Sequence, residues 1–248
     1  CEACGRRWDQ RWAPVQRTPS TVSPPKKQDP VEVPTPGVKT IEALAEYLDC
    51  AVEQCLKCVF YETGGRLVVA VIRGDLEVNP HKLGRVVGSK ALEMAPPERV
   101  EAAGMVPGFA SPMGVSKDVC VVIDTGVEMD RGYVVGANRA DFHKRYVVPQ
   151  RDFPSHAKQA DIALHTSGTP CFACNGHTRL EPAFELGKTE DWGAAPAATN
   201  PVFFNQADGK RAPVHLGHAA LGLSRLLAAV VLEHHDEHGI VWPVALAP

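Results

Sequence analysis

Two C-x-x-C pairs, Cys1-Glu-Ala-Cys4 and Cys171-Phe-Ala-Cys174, have the spacing in this chain that most directly suggests chemistry. Each pair can present two thiolates to one ion from a tight knuckle, and two knuckles complete a tetrahedral zinc site. Gly5 and Gly176 follow the pairs, where a knuckle needs open backbone geometry. The long stretch between the pairs is compatible with one shared site if it folds as an insertion with its ends close together, because loop-closure cost rises slowly with length. The competing reading is four free thiols. Zinc is preferred because both pairs border the same inserted stretch. A third C-x-x-C, Cys55-Leu-Lys-Cys58, opens an apolar strand, and period two places its thiols on opposite faces, where they cannot chelate one ion. These two, with Cys50 and Cys120, read as buried thiols.

Between the pairs, five positions could carry chemistry: Lys57, Gly108 and Pro112 of the loop Gly108-Phe-Ala-Ser-Pro112, Asp124, and His143 after Gly136-Ala-Asn138. Lys57 lies in an apolar run. It either snorkels to solvent or aims a cation at a phosphate, and spacing alone favours snorkelling. The 108–112 segment is either a plain loop or a rigid turn whose amides hold a carbonyl or carboxylate. Asp124 closes Val121-Val-Ile as a strand-end turn residue would, and His143 alone reads as a surface histidine. No Ser-His-Asp or H-E-x-x-H pattern is present. His234-His-Asp-Glu-His238 looks like a metal cluster, but adjacent helix residues face different ways. A solvated helix end is the preferred reading.

The elements that must position these residues follow from patterning. The 248 residues are 44% hydrophobic and 22% charged, with net charge -3, which is ordinary globular composition. No apolar run reaches the roughly 18 residues of a membrane span, and no secretory leader pattern opens the chain. The charge balance gives no global footprint for nucleic acid, so DNA binding is not expected and any RNA contact is local. A chain that opens on Cys1 is expected to begin inside a longer gene product. Seven of the 21 prolines fall within residues 1–36, which predicts an extended linker with order starting at Thr40. Apolar residues at 41, 44, 45 and 48 predict a helix capped by Thr40. Strands are predicted at Cys55–Tyr61, Arg66–Arg73, Val119–Ile123, Gly132–Val135 and Lys144–Val148, with a helix after Asn79-Pro80. The Leu67–Ile72 run predicts a strand covered on both faces. A strand at 202–204, a turn at Asp208-Gly209 and a helix over about 221–234 with Gly239 as its C′ residue complete the reading.

Taken together, Pro36-Gly-Val-Lys-Thr-Ile-Glu-Ala-Leu-Ala45, Ile72-Arg-Gly-Asp75 with Asn79, Val135-Gly-Ala-Asn138, Leu223-Ser-Arg-Leu-Leu-Ala-Ala229 and His234 through Pro243 resemble bacterial-type prolyl-tRNA synthetase over nearly the whole chain. The resemblance implies an α/β fold: a YbaK-like mixed-sheet editing domain inserted in a partial class II synthetase core, with a split zinc-ribbon-like knuckle pair. The implied division is 1–36 for the first knuckle and linker, 37–165 for the editing domain, and 166–248 for the second knuckle and the motif 3 part of the core. It implies hydrolysis of alanine from mischarged tRNA specific for proline, with Lys57, Gly108, Pro112, Asp124 and His143 matching the family's functional positions. It also implies zinc at Cys1, Cys4, Cys171 and Cys174, the tRNA acceptor end as partner, a cytoplasmic location, and a homodimer through the class II core. Arg225 and Gly222 match the motif 3 segment that contacts ATP. The family's G-C-Y-G-I-G reads Gly217-His-Ala-Ala-Leu-Gly222 here, and its proline-binding stretch is eroded to Glu181-Pro-Ala-Phe184. The ligase part is therefore expected to be incomplete and diverged, with exposed apolar surface over 187–212 and 217–225. The alternatives are a truncated piece of an active proline–tRNA ligase and a non-catalytic tRNA- or partner-binding paralogue.

Overall fold

The computed structural model describes residues 1–17, 28–89, 91–194 and 202–247. It divides into two compact units, Cys1–Leu180 and Glu181–Pro248. Cys171–Cys174 thus falls in the same unit as Cys1–Cys4, on the N-terminal side of the division. Pro19, Pro24 and Pro25 of the expected linker lie outside the described residues.

The first unit runs β1 (Val31–Pro34), α1 (Ile41–Tyr47), a 3-10 turn (Val52–Gln54), β2 (Leu56–Thr63), β3 (Arg66–Arg73), α2 (Pro80–Val87), β4 (Glu93–Met94), α3 (Pro97–Ala102), β5 (Cys120–Asp124), β6 (Tyr133–Gly136), β7 (Phe142–Val147), α4 (Pro149–Asp152) and β8 (Lys158–Ala160). A five-stranded sheet has the order β4-β2-β3-β5-β8, and a three-stranded sheet the order β1-β7-β6. The larger sheet is mixed: β2 pairs antiparallel with β3 and β4, while β3–β5 and β5–β8 are parallel.

β3 explains the layering. Its alternate residues Leu67, Val69 and Val71 enter one core with Val121, Ile123, Tyr133 and Val135. Val68, Ala70 and Ile72 enter a second core with Val122, Leu83 and Ile162. The near-continuous apolar run is therefore a centrally placed strand buried on both faces, each large side chain contributing about 1.5–3 kcal/mol. Helix α1 begins where expected, with Thr40 Oγ1 accepting from the Ala43 amide at 3.2 Å. At α2, Asn79 Oδ1 accepts from the amides of His81 and Lys82 at 3.0 and 3.2 Å. The same side chain donates through Nδ2 to the Arg11 carbonyl at 3.1 Å, which fastens the N-terminal arm to the helix start.

Two expectations are corrected. Order does not start at Thr40, because Val31–Pro34 pairs with β7 at the edge of the smaller sheet. Val33 alone of the strand packs on a core cluster, Val31 being exposed, and an edge strand tolerates the missing amide of Pro34. The last helix, α5 (Leu223–Glu233), is also shorter than expected.

The second unit holds β9 (Gly187–Gly193), β10 (Phe203–Asn205), β11 (Arg211–Pro213), β12 (Leu216–Leu221), α5 (Leu223–Glu233), β13 (His235–Asp236) and β14 (Gly239–Ile240). Its strands pair as β9–β12, β10–β11 and β13–β14. α5 stops at Glu233, and Gly239, at φ +137°, turns a short hairpin rather than capping the helix. Asp236 is the physical reason. Its Oδ1 accepts from the amides of His238 and Gly239 at 2.8 and 3.1 Å, which offers the backbone an alternative to helix. His234–His238 is thus a helix-to-hairpin junction, not a helix end. No residue of α5 is buried, and Leu223, Leu227 and Leu232 are exposed together with Trp192, Phe203, Phe204, Leu216 and Leu221. The expected exposed apolar surface is present among the described residues; positions 195–201 of the expected span lie outside them.

Candidate functional site

The loop from Gly108 to Pro112 is held from two sides. Gly108 has φ +84°, a conformation L side chains rarely adopt, and so needs glycine. Gly136 is glycine for a different reason. A Cβ there would stand 2.1 Å from both the carbon and the oxygen of the Phe109 carbonyl. Two residues on, Asn138 has φ +53° and lays its amide along the loop. Its Oδ1 accepts from the Ser111 amide at 2.9 Å and its Nδ2 donates to the Ser111 carbonyl at 3.1 Å. The Asn138 backbone amide donates to the Phe109 carbonyl at 2.8 Å. The Gly136-Ala-Asn138 motif is therefore a clamp that fixes this loop.

The clamp decides which loop amides remain. The Phe109 amide donates to Val106, and the Ser111 amide to Asn138. Among the described residues, the amides of Gly108 and Ala110 have no hydrogen-bond partner, so they are the donors left for an incoming oxygen. His143, on β7 opposite Gly136, is buried beside this loop. Its ring centroid lies 5.5 Å from that of Phe109, and its Nδ1 is 2.6 Å from Thr35 Oγ1. Burial pushes the imidazole below its ordinary pKa. Sequence spacing carried no signal for Thr35, which is fully buried, or for Ser111.

The other expected site residues lie elsewhere. Lys57 pairs with Ile72 in the larger sheet, and its Nζ meets Glu77 Oε1 at 2.5 Å. Its neighbours Leu56 and Cys58 point to the first core, so alternation turns Lys57 to the opposite face, with Val59 and Tyr61. Glu77 is largely exposed, and an ion pair of that kind is worth about 0–1 kcal/mol. The ammonium can therefore exchange Glu77 for a phosphate oxygen at little cost.

Asp124 is fully buried at the end of β5. Its carboxylate accepts from Arg17 Nε and Nη2, each at 2.7 Å, and from the amides of Gly126 at 2.7 Å and Ile162 at 3.0 Å. Arg17 also reaches Asp161 at 2.5 Å, and Lys82 Nζ joins Asp161 at 3.0 Å. Burial works against the Asp161 charge, but hydrogen bonds from Arg17 and Lys82 outweigh it and hold the carboxyl below the usual carboxylate range. The structure thus sets His143 against Phe109 of the Gly108–Pro112 loop, turns Lys57 to the opposite face of the larger sheet, and builds Asp124 into a buried charge network.

Cys1, Cys4, Cys171 and Cys174 converge, with all four Sγ atoms within 4.8 Å of one another. Cys1 and Cys174 are 3.5 Å apart, and Cys4 and Cys171 are 3.8 Å apart. A tetrahedral ion with 2.3 Å metal–sulfur bonds sets sulfurs about 3.8 Å apart, so the donor set fits zinc. Gly176 is pressed against the cluster, where a Cβ would stand 2.6 Å from the Ala3 Cβ.

In the second unit, Gly222 precedes α5 and donates its amide to the Leu186 carbonyl at 2.8 Å. Arg225 is exposed and donates to the Glu185 carbonyl at 3.3 Å. The strands β9 and β12 line an open groove of about 480 Å³ with Gly187, Lys188, Thr189, Ala219, Ala220 and Leu221. Among the described residues, no helix is long and apolar enough to cross a membrane.

Residues 35–152 match the family described as aminoacyl-tRNA editing domain, so the first unit carries a domain of that class. A proline–tRNA ligase of Dehalococcoides mccartyi is 38% identical over 248 residues, covering 100% of this chain and 43% of that ligase. One of Nitratidesulfovibrio vulgaris is 36% identical over 249 residues, again 100% of this chain and 43% of the ligase. The chain is accordingly identified as a prolyl-tRNA synthetase-type segment with an editing domain, and it spans less than half the length of these relatives. Among solved structures, hypothetical protein APE2540 aligns with a TM-score of 0.48 and 18% identity, over 56% of this chain and 93% of that one. The assignment rests on the sequence matches.

Proposed function

We propose that this segment hydrolyses the ester of alanine mischarged on tRNA specific for proline. The observation that carries the reading is the loop fixed by Gly136 and Asn138, with the amides of Gly108 and Ala110 left unpaired. Those amides would receive the ester carbonyl oxygen as negative charge develops on it. Lys57, on the opposite face of the sheet, takes no part in holding that oxygen; it would leave Glu77 for a more distant phosphate of the tRNA acceptor end. Water is the nucleophile, since among the described residues no Ser-His-Asp or Cys-His arrangement faces the loop. His143, neutral and buried, packs on Phe109 and meets Thr35, where it would form one wall of the acyl pocket. A small pocket that admits alanine and excludes the proline ring would supply selectivity by size.

Zinc is proposed at Cys1, Cys4, Cys171 and Cys174, where it would tie the N-terminal arm to the second knuckle as a structural ion. The deciding experiment incubates the chain with alanyl-tRNA and prolyl-tRNA, both specific for proline. The expected result is loss of alanine well above the buffer rate with proline retained. Equal rates in protein and buffer would refute the activity.

A second reading concerns the C-terminal unit. The β9–β12 groove, with Gly222 and Arg225 at the start of α5, favours a remnant of a class II site for ATP. ATP use and a homodimer through that core would require the remaining length of a proline–tRNA ligase. ATP-dependent proline activation, assayed on the chain alone, is expected to be absent.

A further inference from the structure

Cys50 and Cys55 form a second thiol pair, separate from the four-cysteine cluster. Their Sγ atoms lie 3.9 Å apart. The two residues differ in access. Cys50 follows α1 just after Asp49, which takes φ +49°, and its amide donates to the Ala45 carbonyl at 2.9 Å. It is half-buried and lines a cavity of about 40 Å³ with Gln54, Tyr133, Val134, Arg145 and Tyr146. Such a space admits a molecule the size of one or two waters. Cys55 is fully buried and held at both ends of its peptide: its amide donates to Val52 at 3.1 Å, and its carbonyl accepts from Gly74 at 2.7 Å.

The electrostatics follow the same asymmetry. The contact with Cys55, helped by the Arg145 charge and opposed by burial and Asp49, brings the Cys50 thiol down to about 7. The contact with Cys50 and burial push the Cys55 thiol up. The reachable sulfur is thus the nucleophilic one. Burial pushes the Cys58 thiol up to about 12, which makes it a poor competitor.

We propose that Cys50 and Cys55 are a peroxide-sensitive dithiol that closes reversibly to a disulfide in the folded protein. The Cys50 thiolate attacks one oxygen of hydrogen peroxide. The O–O bond breaks, hydroxide leaves, and Cys50 becomes a sulfenic acid. The Cys55 sulfur then attacks the Cys50 sulfur, the S–O bond breaks, and the Cys55 proton and the departing oxygen leave as water. Two thiols and one peroxide give one disulfide and two waters. Closing the gap to the roughly 2.05 Å of an S–S bond requires a shift of Cys50, the residue in the loop, while Cys55 stays fixed by its peptide hydrogen bonds. The bond would tie the end of α1 to the start of β2, two residues before Lys57. A dithiol reductant reverses it.

The sequence provides a clean readout. Trypsin releases Thr40–Lys57, which contains Cys50 and Cys55 and no other cysteine. The full chain is treated with hydrogen peroxide, unfolded, alkylated and digested. The expected peptide is two hydrogens lighter and unalkylated, and takes two alkyl groups after dithiothreitol. In Cys55→Ser, dimedone is expected to capture a sulfenic acid at Cys50, and in Cys50→Ser to capture none at Cys55. Full alkylation of the wild-type peptide after peroxide would overturn the proposal. Equal dimedone capture at Cys55 in the Cys50→Ser variant would do the same. Because the first readout uses the unmutated chain, a variant that fails to fold does not shelter the idea.

Discussion

Arg17 grips Asp124 with two nitrogens, each 2.7 Å from a carboxylate oxygen, across 107 residues of sequence. Asp124 is fully buried, and Arg17 is the only side chain on it among the described residues. Removing the guanidinium would leave a buried carboxylate with two backbone donors. Breaking such a pair typically costs about 3–5 kcal/mol, because the remaining charge is uncompensated. Arg17→Ala is therefore expected to lower stability to denaturant by that order, and Asp124→Asn to act in the same direction. In a double-mutant cycle the two should be strongly non-additive. Deacylation should fall in both variants in step with the folded fraction, although Arg17 lies outside residues 35–152. An Arg17→Ala chain with wild-type stability would break this link.

The second prediction concerns the clamp. Gly136→Ala places a methyl group 2.1 Å from the Phe109 carbonyl carbon, so the loop must move. A displacement near 1 Å in a positioned site costs on the order of a hundredfold in rate. The expected result is a fall of that order in deacylation with the N-terminal knuckle intact. Asn138→Ala tests the same loop from the other side. It leaves the buried Ser111 amide and carbonyl without partners, at about 1–3 kcal/mol. Steady-state deacylation beside thermal unfolding separates the two effects: Gly136→Ala should lose more activity than stability.

The third prediction is a pH dependence. The folded state lowers the His143 pKa by burial. Above the ordinary value near 6.5, the imidazole is neutral in both folded and unfolded chains and makes no difference. As pH falls below that value, the unfolded chain takes up the proton first, so stability declines until the lower folded-state value is passed. Denaturant unfolding from pH 7.5 to 5 should show this decline, and His143→Gln should flatten it. Proton NMR of the imidazole should give a midpoint below 6.5. A midpoint above 6.5 would contradict the buried, neutral assignment.

The strands around β3, though not their order, were largely legible because their signal is local. A run from Leu67 to Ile72 with no polar interruption reads as a doubly buried strand, and Asn79-Pro80 reads as a helix start. β1 was illegible because prolines at 30, 34 and 36 suggest linker, and only the partner strand β7 makes an edge position tolerable. The hairpin after α5 was hidden because Gly239 fits a helix stop equally well, and the competing acceptor is one carboxylate, Asp236. For the site, residue types were legible and partners were not. Asp124 and His143 could be singled out, but Arg17 and Thr35 are joined to them only through the fold. The Cys1–Cys4 and Cys171–Cys174 association could be anticipated because C-x-x-C spacing encodes each half of a shared site. The Cys50–Cys55 contact could not, since it depends on the 3-10 turn between them.

The last prediction concerns that shared site. Four Sγ atoms within 4.8 Å of one another, in a unit whose N-terminal arm is also held at Asn79, His165 and Arg17, suit one zinc ion per chain. Structural zinc sites of this kind carry about 10–16 kcal/mol of apparent binding free energy at neutral pH, so the arm should depend on the metal. Metal analysis of reduced protein is expected to give one equivalent of zinc. Cys171→Ser should lower that value sharply and loosen the contacts of Trp12 in the arm with His81 and Arg85, read as a change in tryptophan fluorescence. Strong chelation should mimic it. Because the editing loop is clamped by Gly136 and Asn138 rather than by the thiols, residual deacylation should survive chelation better than it survives Gly136→Ala. Reduced protein that binds no zinc and melts at the same temperature with and without chelator would leave the four thiols as neighbours without a metal.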